Sequence, residues 1–120
     1  MDKAYIHEDV RAEYTESYVW YHERGSHIAE AFEREIEHAL ESLQNSPDRW
    51  PVYVGRWRRI LLRRFPFGIV YGVMDNMIVV VAIMHTSRKP GYWKNRIFDV
   101  LPDMRFSTSG SSNVPKVSPG

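Results

Sequence analysis

The first half of the chain carries two stretches in which apolar residues recur at helical spacing. Between Asp9 and Arg24 the intervals are four, four and three residues, at Val10, Tyr14, Tyr18 and Tyr21. After the candidate N-cap Ser26 the apolar positions are Ile28, Phe32, Ile36, Leu40 and Leu43. This periodicity predicts two amphipathic helices. Gly25 would end the first and Asn45-Ser46-Pro47 the second, and so short a link predicts an antiparallel helical hairpin.

The second half changes to the pattern of β-strands. From Trp57 to Phe65 the aliphatic residues lie in the middle and the arginines at both ends, which predicts a strand whose ends reach solvent. The runs Phe67 to Val73 and Ile78 to Met84 are joined by Asp75-Asn76, residues that tolerate the positive φ of a tight hairpin turn. A short strand near Ala4 to His7 is also expected.

The element order is therefore expected to be β-α-α-β-β-β, an α+β fold in which a helical hairpin packs on a small, mainly antiparallel sheet. At this length the core fits a single domain, which we assign to residues 1–106. Residues 107–120 are rich in Ser, Gly and Pro and are expected to form a disordered tail.

The net charge of +1 conceals a segregation of sign along the chain. Residues 1–50 contain twelve Asp and Glu against five Lys and Arg, whereas residues 51–106 contain three acids against ten bases. The bases flank the predicted β-hairpin. Such a surface favours an anionic partner. A solvated sheet edge protected by arginines is the alternative interpretation.

Composition excludes several classes of site. The chain has no cysteine, which rules out disulfides and thiolate metal ligands and fits a reducing cytoplasm. Its longest apolar run, Met77 to Met84, is far shorter than the roughly 20 residues of a membrane-spanning helix. The N-terminus has no apolar segment of a signal peptide. We therefore expect a soluble, cytoplasmic protein. No metal and no cofactor are expected, because metal-ligand spacing is missing among His7, His22, His27 and His38.

Three motifs follow one another in a characteristic order. Trp20-Tyr21 ends the first helix, Arg63-Arg64-Phe65-Pro66-Phe67 precedes a strand, and His85-Thr86-Ser87-Arg88 leads to Tyr92-Trp93. Over about Tyr5 to Arg96 this series resembles the RelE/ParE superfamily of bacterial type II toxins. The resemblance implies a small toxin with the β-α-α-β-β-β fold that is held inactive, in a heteromeric complex, by a cognate antitoxin.

The superfamily has two activities. The RelE branch cleaves mRNA on the ribosome, and a chain of that type would use Arg88 and Tyr92, with His85 as a further candidate acid or base. That branch keeps a second arginine just before Ile69, where this chain has Gly68. The Arg-Arg-Phe-Pro-Phe motif is closer to the ParE branch, which poisons DNA gyrase by binding. A protein that keeps the fold without toxicity is the third possibility.

The ParE interpretation predicts a target-binding surface of cations and aromatic residues, comprising Arg58, Arg59, Arg63, Arg64, Arg88, Lys89, Tyr92 and Trp93. The two aromatic residues are equally consistent with packing on the sheet, and His85 with a structural hydrogen bond. Trp20 and Tyr21 lie on adjacent faces of the first helix, so one is expected in the core and the other at its rim.

Overall fold

The computed structural model describes residues 4–97, which contain two helices and five strands. In chain order these are β1 (Ala4–Ile6), α1 (Glu8–His22), α2 (Ser26–Asn45), β2 (Val52–Val54), β3 (Trp57–Leu61), β4 (Phe67–Met74) and β5 (Met77–His85). The predicted α+β fold and element order are confirmed, and β2 is an additional strand. The predicted tail from 107 to 120 lies outside the described residues, as do residues 98–106.

The five strands form one sheet in the order β1-β5-β4-β3-β2. Only β1 pairs in parallel, with β5; the other three pairings are antiparallel. Between β4 and β5, Asp75 and Asn76 have φ values of 52° and 61°, which confirms the predicted turn. Both central residues of this turn type need positive φ, and Asp and Asn adopt it more readily than most residues.

Both faces of the sheet are covered. On one face, Phe32, Ile36 and Leu43 of α2 pack with Ile69 and Ile78. On the other face, Trp93 from the segment after β5 packs with a second cluster that includes Trp57, Val70, Val79 and Met84. This double coverage explains why β4 and β5 read as continuous aliphatic runs without polar alternation.

Two predicted boundaries are wrong in detail. β3 ends at Leu61 and not at Phe65, because the Leu62 N–H donates to the Phe67 carbonyl at 2.9 Å and the chain turns there towards β4. Ser26 is the first residue of α2 and not its cap; the cap is Gly25. The cap of α1 is His7, whose ring nitrogen accepts a hydrogen bond from the Asp9 N–H at 3.0 Å.

Candidate functional site

Strand register brings two of the basic clusters to the same end of the sheet. Leu61 pairs with Gly68, and Phe67 pairs with His85, so β3 ends where β4 begins and β5 ends. The turn after β3 and the segment after β5 are also joined directly by a hydrogen bond from the Thr86 N–H to the Pro66 carbonyl at 2.9 Å. We call this region the basic end of the sheet and define it by Arg63, Arg64, Arg88 and Lys89.

Arg58 and Arg59 lie further back along β3, on opposite faces. Arg58 donates to the carbonyls of Trp50 at 2.5 Å and Asp48 at 3.3 Å, so it fixes the loop that follows α2. The guanidinium of Arg59 lies 3.8 Å from the centroid of the Tyr53 ring. Both arginines therefore have structural contacts, and the sheet separates one from the other.

Arg63 and Arg64 occupy the turn after β3 and are both exposed. The backbone N–H of Arg64 donates to the Glu35 carboxylate at 3.1 Å, and its Nε lies 3.8 Å from the same carboxylate. For Arg63 the described part of the chain provides no anionic partner. With α2, the two residues line a groove of about 850 Å³ whose floor includes Leu62. The backbone bond to Glu35 fixes this turn relative to α2.

The most connected polar group at this site is Glu13, a carboxylate of α1 whose side chain is only 13 % exposed. It accepts hydrogen bonds from the Tyr92 hydroxyl at 2.6 Å, from two nitrogens of Arg96 at 3.1 and 2.9 Å, and from the Ile83 N–H at 3.0 Å. The Arg88 Nη1 lies 3.9 Å away, and its guanidinium lies 3.5 Å from the centroid of the Tyr92 ring. Glu13 thus ties α1 to the segment that follows β5.

Glu13 and Arg96 also complete the edge of β5 where β1 no longer covers it. β1 pairs with β5 only as far as Val80. Beyond that point, Glu13 accepts from the Ile83 N–H and Arg96 donates to the Val81 carbonyl at 2.8 Å. The ion pair therefore satisfies backbone groups that would otherwise be left open at an edge strand.

The same network shifts two ionisation equilibria. Burial, the hydrogen bond to Glu13 and the negative charge of Glu13 all raise the pKa of Tyr92 above its usual value. Burial lowers the pKa of Arg96, but the hydrogen bonds and charge of Glu13 outweigh it and leave that pKa raised. Tyr92 is therefore neutral and Arg96 charged around neutral pH, and the Tyr92 hydroxyl is committed as a donor to Glu13.

Sequence reasoning missed Glu13 and Arg96. They are separated by 83 residues, so no local motif links them. The available signal is that Glu13 follows Val10 by three residues and therefore shares its helix face with a stripe residue.

Several other residues singled out in the sequence take part in core packing or in local hydrogen bonds. Trp93 differs from the expectation of a target contact: its side chain is 0 % exposed, and its ring centroid lies 5.8 Å from that of Trp57 in the core. His85 Nδ1 accepts from the Ser87 N–H at 3.1 Å, as expected of a structural histidine. As predicted for the helix pair, Tyr21 packs on the core while Trp20 is exposed at the rim.

Within residues 4–97, no group of three His, Cys, Asp or Glu side chains could hold a metal ion. Across the same described range, neither helix has the length and apolar character needed to cross a membrane.

Comparison with known proteins gives one informative result. The search of curated proteins finds no match. A family model described as "ParE toxin of type II toxin-antitoxin system, parDE" matches residues 5–90. The matched range covers more than half of the chain and contains both helices, the β3–β5 meander and all four residues of the basic end. The chain therefore belongs to the ParE toxin family, within the RelE/ParE superfamily, and is by family the toxin component of a type II toxin–antitoxin system.

Proposed function

We propose that this toxin inhibits DNA gyrase by binding through the basic end of the sheet. The observation that carries the proposal is the convergence of Arg63, Arg64, Arg88 and Lys89 at one sheet end in a ParE family member. All four are exposed. Guanidinium groups bind phosphates and carboxylates through charge-assisted hydrogen bonds, and such contacts need no proton transfer.

Cleavage of mRNA, the alternative function, is supported less well by the geometry of its candidate residues. It would use Arg88, Tyr92 and His85, but the Tyr92 hydroxyl is held by Glu13 and its pKa is raised, so it is a poor proton carrier near neutral pH. Gly68 stands where the ribonuclease branch keeps an arginine, so the second cation of that branch is missing at this position. A function in binding alone requires neither a proton-transferring hydroxyl at Tyr92 nor an arginine at position 68.

The cognate antitoxin is the second partner in the proposal. A groove of about 480 Å³ lies between the helices and the sheet, and much of its lining is apolar, with Ile6, Val10, Ile36 and Leu40 among the residues. An apolar segment of the antitoxin would fill this groove, and an acidic segment would neutralise the basic end. The resulting complex is heteromeric and forms in the cytoplasm.

Expression of the chain without an antitoxin tests the proposal in cells. Inhibition of gyrase is expected to induce the DNA-damage response and filamentation while protein synthesis continues. Rapid arrest of translation with cut mRNA would contradict the proposal and favour the ribonuclease alternative. Normal growth with the folded protein present would favour a chain that has lost toxicity.

The double substitution Arg63→Ala/Arg64→Ala removes two charged contacts. It is therefore expected to raise the inducer dose that stops growth by at least roughly tenfold. Folding should survive, because the hydrogen bond from residue 64 to Glu35 uses the backbone. Circular dichroism checks this. The matched control Arg11→Ala/Arg56→Ala removes the same charge from other surfaces and is expected to stay toxic; equal relief by both pairs would contradict a local role.

A further inference from the structure

Arg88 lies in the tight turn that follows β5. The orientation of its guanidinium depends on side chains outside this turn. The Arg88 N–H donates to the His85 carbonyl at 3.0 Å, which fixes the backbone. For the guanidinium, the contacts in the described part of the chain are the face of the Tyr92 ring at 3.5 Å and Glu13 at 3.9 Å. The side chain is 52 % exposed, so its orientation relies on this ring.

The Tyr92 ring is itself held at its hydroxyl. The hydroxyl donates to Glu13 at 2.6 Å, and the ring packs against the core cluster of Trp93 with the Arg96 guanidinium 5.2 Å from its centroid. Glu13 is in turn fixed by a two-pronged ion pair with Arg96 and by the Ile83 N–H of β5. The edge of β5 therefore holds Glu13, Glu13 holds the Tyr92 hydroxyl, and the Tyr92 ring supports the Arg88 guanidinium.

The two arginines near Glu13 differ in how closely they contact its carboxylate. Arg96 donates to both oxygens of Glu13 at hydrogen-bonding distance. Arg88 lies 3.9 Å from the same carboxylate, beyond hydrogen-bonding distance, and stays exposed. Both oxygens of Glu13 are thus hydrogen-bonded to Arg96, whose Nε also lies 3.6 Å from the exposed carboxylate of Asp9, and the Arg88 donors remain available to an anionic group of another molecule.

We infer that Glu13 is a positioning residue: through the Tyr92 hydroxyl it holds the ring on which Arg88 lies, and so presents the Arg88 guanidinium to a phosphate or carboxylate of the target. The inference rests on the proposed function only in that Arg88 is a target contact. The positional relation among Glu13, Tyr92 and Arg88 can be measured without any target.

Nuclear magnetic resonance gives the first test. Protons held over an aromatic ring resonate upfield, so the δ-methylene protons of Arg88 are expected upfield of their random-coil position in the unmodified chain. Tyr92→Phe keeps the ring but removes its bond to Glu13, and Glu13→Gln removes the charge that holds Arg96. Each is expected to bring the Arg88 signals back towards the random-coil value while the backbone amide spectrum stays dispersed.

Tyr53→Phe is the matched control, because Tyr53 lies under Arg59 at 3.8 Å and, among the described residues, its hydroxyl makes a weak contact with the Met84 sulfur at 3.9 Å. Its substitution should leave the Arg59 signals shifted. Upfield Arg88 signals that persist in both Tyr92→Phe and Glu13→Gln would overturn the inference, whatever the toxin's target.

Inhibition of gyrase supercoiling is the second readout. Glu13→Gln and Tyr92→Phe are each expected to weaken inhibition by up to roughly tenfold, the scale of one charge-assisted contact. Neither should weaken it further when Arg88 is already alanine, because they act through Arg88. Additive losses would overturn the inference. If the unmodified chain fails to inhibit gyrase while the Arg88 signals respond as expected, the proposed function fails and the positioning stands.

Discussion

At the scale of single residues, Tyr71 shows how one buried hydroxyl secures a loop. The side chain is fully buried under the helices, and its hydroxyl donates to the Pro47 carbonyl at 2.6 Å. Burial raises the pKa of Tyr71 to about 12, an effect that the nearby Arg58 partly opposes. Tyr71 from the core and Arg58 from the partly exposed rim of β3 therefore both hold the connection between α2 and β2.

The raised pKa of Tyr71 predicts a loss of stability at alkaline pH. Tyrosines in the unfolded chain ionise at about 10, whereas folded Tyr71 ionises at about 12. The unfolded state therefore releases its proton first, and the free energy of unfolding should fall as pH rises between these values. Urea unfolding across this range measures the fall. Tyr71→Phe should show a smaller fall, after a loss at neutral pH of about 1 kcal/mol for the missing hydrogen bond. An identical fall in both proteins would contradict the assignment.

At the scale of elements, close packing between β3 and β4 depends on two glycines that differ in what they touch. A Cβ at Gly72 would lie 2.6 Å from the indole ring of Trp57. A Cβ at Gly68 would meet the flexible side chain of Arg59 at 2.9 Å. The ring at Gly72 is held in the core against Trp93, whereas the Arg59 side chain can move.

Gly72→Ala is therefore expected to destabilise the fold by about 1–3 kcal/mol through overpacking. Gly68→Ala, its matched control, should cost less than about 1 kcal/mol because Arg59 can adopt another rotamer. Thermal unfolding of the two variants measures the difference. Equal costs, or a larger cost at Gly68, would show that Trp57 yields more readily than its packing indicates.

The elements whose sequence pattern is strong were predictable. The helical stripes through Tyr14 and Phe32 and the hairpin turn at Asp75-Asn76 placed α1, α2, β4 and β5 correctly, because helical period and turn chemistry are local. β2 escaped prediction: it has three residues, and its pairing with Arg58 is set by the sheet and not by its own pattern. The end of β3 was also missed, because a bond between Leu62 and Phe67 sets it.

The site was predictable only in part, for the same physical reason. Charge clustering identified the basic end, and strand order explains how Arg63 and Arg88 come to share it. Charge clustering could not distinguish Arg58 from Arg59, because the two arginines differ in the face of β3 on which they lie. The partnership of Glu13 with Arg96 depends on how the segment after β5 crosses the sheet, and a carboxylate on a helix gives no sign of such a distant partner.

At the scale of the whole molecule, the fold converts a segregation of charge along the chain into a segregation in space. The acid-rich first half forms α1 and α2, and the basic second half forms most of the sheet. Glu35 and Glu13 lie beside the basic end and pair with Arg64 and Arg96, yet Arg63 and Arg88 remain exposed. A nearly neutral protein thus has a local positive surface, the feature on which the proposed binding of an anionic partner depends.

Inhibition of DNA supercoiling by purified gyrase tests this account most directly. The unmodified chain is expected to inhibit supercoiling, and addition of its antitoxin should reverse the effect. Arg63→Ala/Arg64→Ala should be at least roughly tenfold weaker, while Arg11→Ala/Arg56→Ala should match the unmodified chain. A folded chain that leaves supercoiling unchanged, or the same potency in both double variants, would contradict the account.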